Sequence, residues 1–341
     1  MGAARRGISS APDETHVLGV LGALWRQRMT SMQALGAATG LGPTALHAAL
    51  AALRHRGCLI EEHPHEIALL STGLSCWRDV IEQQAVRFER QLGRRAIILR
   101  QTSSTNDVCW QAAESAAHGL VVLADEQTAG RGRRGHCWVA KAGQSILLSI
   151  LLQGLTADSC PTLDAMTLLL GLACAEAMEE VLGQPMSIKW PNDLLLSGRK
   201  LAGILVEARP SAGAGNGSDL VLGLGINVNQ RRDDFPVALR PHATSIYVAS
   251  GRRVDRLVLV DALLEAIERR CWPQKVPQGE GWLESWKSRC HMLNTTVTVR
   301  SGGVAITGRV LDVDPLRGLV VRDGHGGTHF FSAQASTLSE R

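Results

Sequence analysis

A chain of 341 residues with 36 Lys+Arg against 32 Asp+Glu carries a formal charge of +4, and 45% of it is apolar and 20% charged. These proportions exclude a disordered or fibrous protein and allow two or three domains; so weak a charge excess does not by itself argue for nucleic-acid binding. The longest strongly apolar stretch, residues 166–175, falls well short of the ~20 residues of a membrane span, and the two arginines near the N-terminus have no apolar core behind them. No membrane partner and a cytoplasmic address are therefore expected. Eight cysteines occur with no CxxC or CxxH spacing, which predicts a reduced, mostly buried set rather than a zinc site or a disulfide framework.

Residues 1–12 mix Gly, Ser, Pro and Arg without periodicity and read as a loose tail. From Thr15 the apolar positions Val17, Leu18, Val20, Leu21, Leu24 and Trp25 follow a helical period, and after a short stretch over 29–31 a second periodic segment, MQALGAATG, begins. Gly40 and Gly42 break the chain, Pro43 suits a helix start, and a third helix runs through TALHAALAALRHRG to a stop at Gly57. CLIEEHPHEIALL reads as two short strands around His63-Pro64-His65. Three helices with a tight turn between the last two, then a hairpin, predict a winged helix-turn-helix over 13–73, with 44–55 as its recognition helix. The plainer alternative is a generic small helical domain.

The stretch 74–94 reads as a connecting helix. A different regime starts at Arg95, where short apolar runs alternate with helical patterns: strands are expected over 96–101, 120–125, 145–151, 187–190, 200–208 and 219–227, and helices over 105–117, 161–182 and 255–270. Residues 209–218, RPSAGAGNGS, read as a surface loop. This order predicts an α+β (mixed α/β) domain with one large mixed sheet over 95–291. Over 292–341 the runs TTVTVR, GVAITGRVLDVD, GLVVRD and THFFSA are short and β-like, with the spacing of a small SH3-like β-barrel.

Gly130, Gly132 and Gly135 spell GxGxxG, but His136-Cys137-Trp138 follows where a dinucleotide fold would open a helix, and the intervening residues are bulky arginines. No Lys-Ser/Thr follows either, so the stretch is not a phosphate-binding loop of the Walker type. A Gly/Arg loop instead lets the backbone approach a ligand while the arginines offer forked donors to carboxylate and phosphate oxygens; the alternative is a solvated basic loop. Further along stand Ser187-Ile188-Lys189-Trp190-Pro191-Asn192-Asp193, Arg199 to Glu207 (RKLAGILVE) and Gly223 to Asn229 (GLGINVN), and upstream lies Ser103-Ser104-Thr105-Asn106-Asp107.

Taken in order, SSTN, EQTAGRGRRGxxW, KWPND, GRKLAGILVE and GLGINVN resemble the motifs of the biotin–protein ligase family, of the kind joined to a biotin operon repressor. The resemblance covers Arg95 to about Asn229, and the flanking segments match the same three-domain plan. It implies an ATP-dependent ligase. The biotin carboxylate attacks the α-phosphate of ATP with Mg²⁺, giving biotinyl-5′-AMP, and a lysine of the biotin carboxyl carrier protein of acetyl-CoA carboxylase then attacks the mixed anhydride.

The resemblance also implies roles. Arg131, Arg133 and Lys189 would carry the chemistry, since two anions must be brought together and positive groups lower their repulsion. Ser104, Thr105, Asn106 and Gln127 would hydrogen-bond the biotin head, with Gly130, Arg131, Gly132, Arg133 and Lys200 following the ligand. Gly203, Gly223 and Gly225 would leave room for its ring and chain. The nucleotide would meet Arg133, Arg134, Trp138 (stacked on adenine), Lys189, Asn192 and Asn227, and Asp193 would take Mg²⁺. One departure is His136-Cys137 before Trp138, where relatives carry basic residues.

By the same resemblance the N-terminal domain binds operator DNA as a ligand-dependent homodimer with biotinyl-5′-AMP as corepressor, through Thr44, His47 and Arg54. The recognition helix is nevertheless rich in alanine and poor in the side chains that read base edges, and Glu61, Glu62 and Glu66 on the wing oppose phosphate binding. Competing readings are a lipoate-type ligase, a biotin-responsive DNA-binding regulator without catalysis, and a ligase whose N-terminal domain has lost DNA binding.

Overall fold

The first helix starts where the sequence offers a cap: the Asp13 carboxylate accepts from Thr15 N at 2.9 Å, and α1 (Glu14–Gln27) follows. The computed structural model describes residues 13–115, 118–156, 162–211, 217–272, 281–333 and 335–339. The chain divides into two units, the first running to Gln83 and the second from Gln84.

In the first unit, β1 (Met29–Thr30) leads to α2 (Met32–Thr39), which is capped by Ser31 and closed by Gly40 in the left-handed region. Pro43 occupies the first turn of α3 (Pro43–His55), as expected. Val17, Leu21, Leu24, Leu35, Leu46, Leu50 and Leu53 form its core. β2 (Leu59–Glu62) and β3 (Ile67–Ser71) pair antiparallel around the His63-Pro64-His65 turn. The short stretch before α2 turns out to be a third strand, since β1 pairs with β3 through Met29–Ala68 and Thr30–Ile67. The connecting helix is shorter than the expected 74–94: a 3-10 turn over Leu74–Cys76 precedes α4 (Trp77–Arg87). Glu89 then takes a positive φ of 53°, which ends the helix.

The second unit is organised by β4 (Ala96–Thr102), α5 (Thr105–Ala112), β5 (Val121–Gln127), β6 (Ser145–Leu155), α6 (Leu163–Leu182), β7 (Ser187–Lys189), β8 (Asp193–Leu196), β9 (Arg199–Pro210) and β10 (Ser218–Asn227). The seven strands lie in the order β4-β5-β6-β10-β9-β8-β7. Only β4 and β5 run parallel, so the expected mixed sheet forms. α5 stops at Ala112, not at 117. β8 was not expected; it is the return strand of a hairpin with β7, and its buried LLL run follows the Trp190-Pro191 peptide, which is cis. Of the loop expected over 209–218, β9 claims residues to Pro210, and 212–216 lie outside the described residues, as does the tail over 1–12.

α7 (Ile246–Ser250), α8 (Arg256–Cys271) and α9 (Gly281–Lys287) follow. α6 is buried almost all round because it packs against both the sheet and α8. Gly171 of α6 lets Ile204 and Ile188 of the sheet approach, at 3.7 and 3.9 Å from where a Cβ would stand. A separate cluster, Cys109, Trp110, Leu120, Val122, Leu151 and Val221, packs α5 on the other face. The buried Glu268 carboxylate accepts from Gln91 N (2.8 Å) and Leu92 N (2.9 Å), tying the segment before β4 to α8.

The last stretch is all strand: β11 (Thr296–Ser301), β12 (Val304–Asp314), β13 (Gly318–Asp323), β14 (Thr328–Phe331) and β15 (Ser336–Ser339) form an antiparallel sheet in the order β14-β13-β12-β11-β15. The seven cysteines among the described residues are free; Cys58, Cys76, Cys109, Cys174 and Cys271 are buried, and burial pushes the Cys109 and Cys174 thiols up. No helix among the described residues is long and apolar enough to cross a membrane.

Candidate active site

Strand register gathers the site. Leu147 and Ser149 of β6 lie beside Gly225 and Gly223 of β10, and these lie beside Gly203 and Leu205 of β9. Because alternate residues share a face, Gly203, Gly223 and Gly225 point to the same side of the sheet as Val221 and Leu151, the side that α5 covers. The three glycines line a cleft of about 380 Å³ there. Asn106 approaches Gly223 so closely that a Cβ would stand 2.5 Å from its Oδ1.

One end of the cleft is polar and neutral. Gln127 Oε1 accepts from Thr105 N (2.7 Å) and Thr105 Oγ1 (2.9 Å), and the Ser149 hydroxyl lies 2.7 Å from Thr105 Oγ1 and 2.6 Å from Asn106 Oδ1, donating to one at a time. Ser104 stands at the N-cap of α5 without spending its side chain on the cap. Asn106 Nδ2 is buried without a partner among the described residues. Such a donor costs free energy until something accepts from it.

The Gly/Arg loop forms a small hairpin. Trp138 N donates to Gly130 O (2.9 Å) and Gly132 N to His136 O (2.6 Å), while Arg134 (φ 55°) and Gly135 (φ 75°) turn the tip through the left-handed region. The hairpin lays the Trp138 indole onto the glycine floor: a Cβ at Gly225 would lie 2.4 Å from Trp138 Cε2, and one at Gly203 3.0 Å from Cζ3. Gly203 and Gly225 thus face an indole, and Lys200 Nζ sits 5.8 Å from that ring's centre. Trp138 Nε1 is buried without a partner among the described residues.

The arginines differ. Arg131 is held by Asp107 in a bidentate pair and by Glu207 at 3.4 Å, which raises its pKa further and holds the Asp107 carboxyl below its ordinary value. Arg133 crosses the cleft mouth, donating to Asn192 Oδ1 at 3.3 Å and to the Ala333 carbonyl just before β15. Burial, then the neighbouring Arg134, lowers its pKa. Ala333 N in turn donates to Asp164 Oδ2 at 2.9 Å. Lys200 Nζ lies 2.7 Å from Asp193 Oδ1. The carboxylate that the sequence offered to Mg²⁺ is therefore engaged by an ammonium group. Among the described residues no group of three His, Cys, Asp or Glu gathers to hold a metal, so the cleft offers no all-protein cage for an ion.

Ser104, Thr105, Asn106, Gln127, Arg131, Gly132, Arg133, Arg134, Trp138, Lys189, Asn192, Asp193, Lys200, Gly203, Gly223 and Gly225 all line this one cleft. Two expected residues do not. Gly130 stands at the base of the hairpin, where a Cβ would meet Trp138 O and Gln127 Nε2. Asn227 is buried one strand-turn beyond, donating to Thr244 O and accepting from Gln230 Nε2. Thr44, His47 and Arg54 belong to the first unit; His47 Nδ1 lies 2.8 Å from Pro43 O, and Arg54 is paired with Glu62 at 2.5 Å. Sequence reasoning missed Ser336, Thr337 and Leu338, which form the cleft's C-terminal wall. It also missed Asp107 and Glu207 as the partners of Arg131, although Asp107 ends the SSTND motif.

Residues 98–227 match the model of the Biotin/lipoate A/B protein ligase family. The chain is 33% identical over 245 residues, 71% of its length and 74% of the relative's, to "Bifunctional ligase/repressor BirA" of Bacillus spizizenii. It is 34% identical over 251 residues, 70% of its length and 87% of the relative's, to "Biotin--[acetyl-CoA-carboxylase] ligase" of Mycobacterium tuberculosis. Among solved structures, the biotin protein ligase of Aquifex aeolicus in complex with biotin and ATP superposes with a TM-score of 0.62 at 28% identity, covering 73% of this chain and 100% of the other.

Proposed function

Since the chain belongs to the biotin/lipoate A/B protein ligase family, as a biotin–protein ligase, we propose that its cleft condenses biotin with ATP to biotinyl-5′-AMP and passes the biotinyl group to a carrier lysine. The observation that carries this reading is the split character of the cleft. One end holds neutral donors and acceptors over a glycine floor, and the remaining lining sets Arg133, Arg134, Lys189 and Lys200 against the carboxylate of Asp193.

Biotin's cyclic urea is neutral and polar, and Ser104, Thr105, Asn106 and Gln127 offer the groups that its burial requires. The carboxylate of its side chain then lies toward the cations. There its oxygen attacks the α-phosphorus, an O–P bond forms, and pyrophosphate leaves. Lys189, Arg133 and Arg134 lower the repulsion between the two anions and stabilise charge on the phosphoryl oxygens. Arg131, neutralised by Asp107 and Glu207, anchors the loop. Trp138 offers an aromatic face that adenine can share. Mg²⁺ enters as the counter-ion ATP brings with it, and no step passes through a protein-held metal. In the second step the carrier lysine's amine attacks the acyl carbon and AMP leaves. The M. tuberculosis relative's name supports the biotin carboxyl carrier protein of acetyl-CoA carboxylase as acceptor.

Within the first unit, residues 13–73, three helices and a hairpin with a third short strand, are proposed as a winged helix-turn-helix that binds operator DNA through Thr44, His47 and Arg54 as a ligand-dependent dimer. The repressor half of the B. spizizenii relative's name supports this. The C-terminal sheet is proposed as the SH3-like domain, and the cytoplasm as the address.

Calorimetric titration of biotin, then of ATP·Mg²⁺ with biotin present, followed by mass analysis of the bound species, tests the first step. Biotinyl-5′-AMP is expected. Biotin binding without adenylate would reduce the protein to a sensor, and absence of biotin binding would refute the substrate.

A further inference from the structure

Ser336, the first residue of β15, is 2% exposed, and its Oγ has no hydrogen-bond partner among the described residues. A buried hydroxyl left unsatisfied destabilises the fold by itself. In the same strand-pairing Ser336 stands opposite Ser301 of β11, so its backbone is held by the C-terminal sheet. Yet it lines the cleft whose floor belongs to β9 and β10.

Its place along the cleft follows from two contacts. Arg133 bonds Asn192 on one side and the Ala333 carbonyl on the other, and Ala333 N is held by Asp164. Ala333, three residues before Ser336, is therefore fastened at the Arg133–Asn192 end. The neutral end, where Thr105, Asn106, Gln127 and Ser149 bond one another, belongs to α5 and the middle of the sheet. A hydroxyl in a cleft that Arg133, Arg134 and Lys189 also line is matched by an anionic acceptor, and one donor added to a cationic site orients what the cations only attract.

We propose that Ser336 is a nucleotide-binding residue, whose hydroxyl donates to a phosphate oxygen of ATP or of the adenylate formed from it. The C-terminal sheet then supplies a part of the active site itself. The assignment rests on the ligase reading above and deepens it. It divides the two substrates: biotin binds without Ser336, whereas ATP uses it.

The test is Ser336→Ala in the full chain, with Ser336→Cys as a second variant of nearly the same size that donates weakly. Three quantities are read for the parent and both variants: the melting temperature without ligand, the Kd for biotin, and the KM for ATP in biotin-dependent ATP–pyrophosphate exchange. Loss of an orphaned hydroxyl leaves the ligand-free melting temperature equal or higher. The biotin Kd stays within two-fold of the parent, and KM for ATP rises about ten-fold, the loss of one hydrogen bond to a charged acceptor. An unchanged KM for ATP in both variants overturns the proposal. So does a biotin Kd that weakens as much as KM, or a fall in melting temperature that accounts for the lost activity. A parent that binds no biotin or exchanges no pyrophosphate overturns the ligase reading, and the assignment with it.

Discussion

Arg131 and Asp107 meet in a bidentate pair, Nη1 to Oδ2 at 2.8 Å and Nη2 to Oδ1 at 2.7 Å, and this pair fastens the Gly/Arg hairpin to α5. The arginine that looks most like a ligand-binding group in the motif thus spends its fork on a carboxylate two residues beyond Thr105. The same guanidinium reaches Glu207, which also accepts from Trp110 Nε1 at 2.9 Å, so hairpin, helix and β9 share one polar knot.

Asp107→Asn removes the charge while keeping the size. The hairpin loses its anchor, and the expected result is a biotin Kd weakened about ten-fold, with α5 still folded by circular dichroism. The pH dependence has a definite sign. Asp107 titrates below its ordinary value in the folded chain because Arg131 bonds its carboxylate. Its stabilisation is complete above the unfolded value of ~3.9 and is lost as pH falls through the depressed folded value. Biotin affinity should therefore hold between pH 5 and 8 as far as this pair is concerned (roughly the range above the carboxylate's titration). A steep loss within that window, absent from Asp107→Asn, would contradict the pairing.

Arg133→Gly takes away the strut between Asn192 and the Ala333 carbonyl. The hairpin tip then no longer closes over an acyl phosphate that reacts with water and any amine. Released biotinyl-5′-AMP should label bystander lysines, read as biotin on an unrelated protein such as serum albumin. Labelling confined to the carrier would show that Arg133 does not retain the intermediate.

The extent to which the sequence foretold this site follows from where its constraints lie. Lys189, Asn192, Gly203 and Gly223 were legible because each sits in a short motif whose residue types make little sense as packing alone. The sheet was legible because β6, β9 and β10 are apolar runs punctuated by Gly. The shortness of α5 was not, since Ala113 and Glu114 are good helix formers and nothing local stops them; the chain leaves the helix to reach β5. Asn227 looked like a site residue because it extends GLGINVN, but the strand ends there and its amide closes on Thr244 and Gln230. Ser336 carries no local signal at all, because only the fold brings residues over 100 positions apart in sequence, such as Arg133 and Ala333, together.

Gly225→Ala tests the glycine floor. Its Cβ would lie 2.4 Å from Trp138 Cε2, so the indole must leave. The expected loss in biotin or ATP affinity is at least ten-fold, about 1.4 kcal/mol or more. In the Trp138→Ala background the same glycine substitution should cost far less, giving a non-additive double-mutant cycle. Additive effects would mean that the two residues act separately.

His118 gives the catalytic unit a stability that depends on pH. Its Nδ1 accepts from Gln153 N at 2.7 Å, its ring stands edge-on to Trp272, and burial lowers its pKa below the ordinary imidazole value. Below ~6.5 the unfolded chain binds a proton that the folded chain refuses, so stability falls as pH drops from about 7 toward the lowered folded value, and recovers as pH rises. His118→Asn keeps an acceptor near Nδ1 without the titration. Melting curves between pH 8 and pH 5 should separate wild type from variant at the acid end only. Parallel curves would show that His118 is not the group responsible.

Whether the first unit binds DNA turns on Arg54 and Glu62. Between Asp13 and Gln83 seven carboxylates outnumber five arginines, and no lysine occurs. Arg54, the arginine that α3 offers to an operator, is paired with Glu62 of β2 at 2.5 Å. A phosphate must therefore compete with a carboxylate for this guanidinium. Glu62→Gln removes the competitor and one repulsive charge, and should tighten binding to the cell's own biotin operator. If Arg54 then takes one more phosphate, the slope of log K against log salt steepens by about 0.9. A gel shift across a salt series reads both. Equal affinity and slope would place Arg54 away from the DNA, and no shift for either protein with biotin and ATP present would remove the repressor role and leave the unit to the ligase alone.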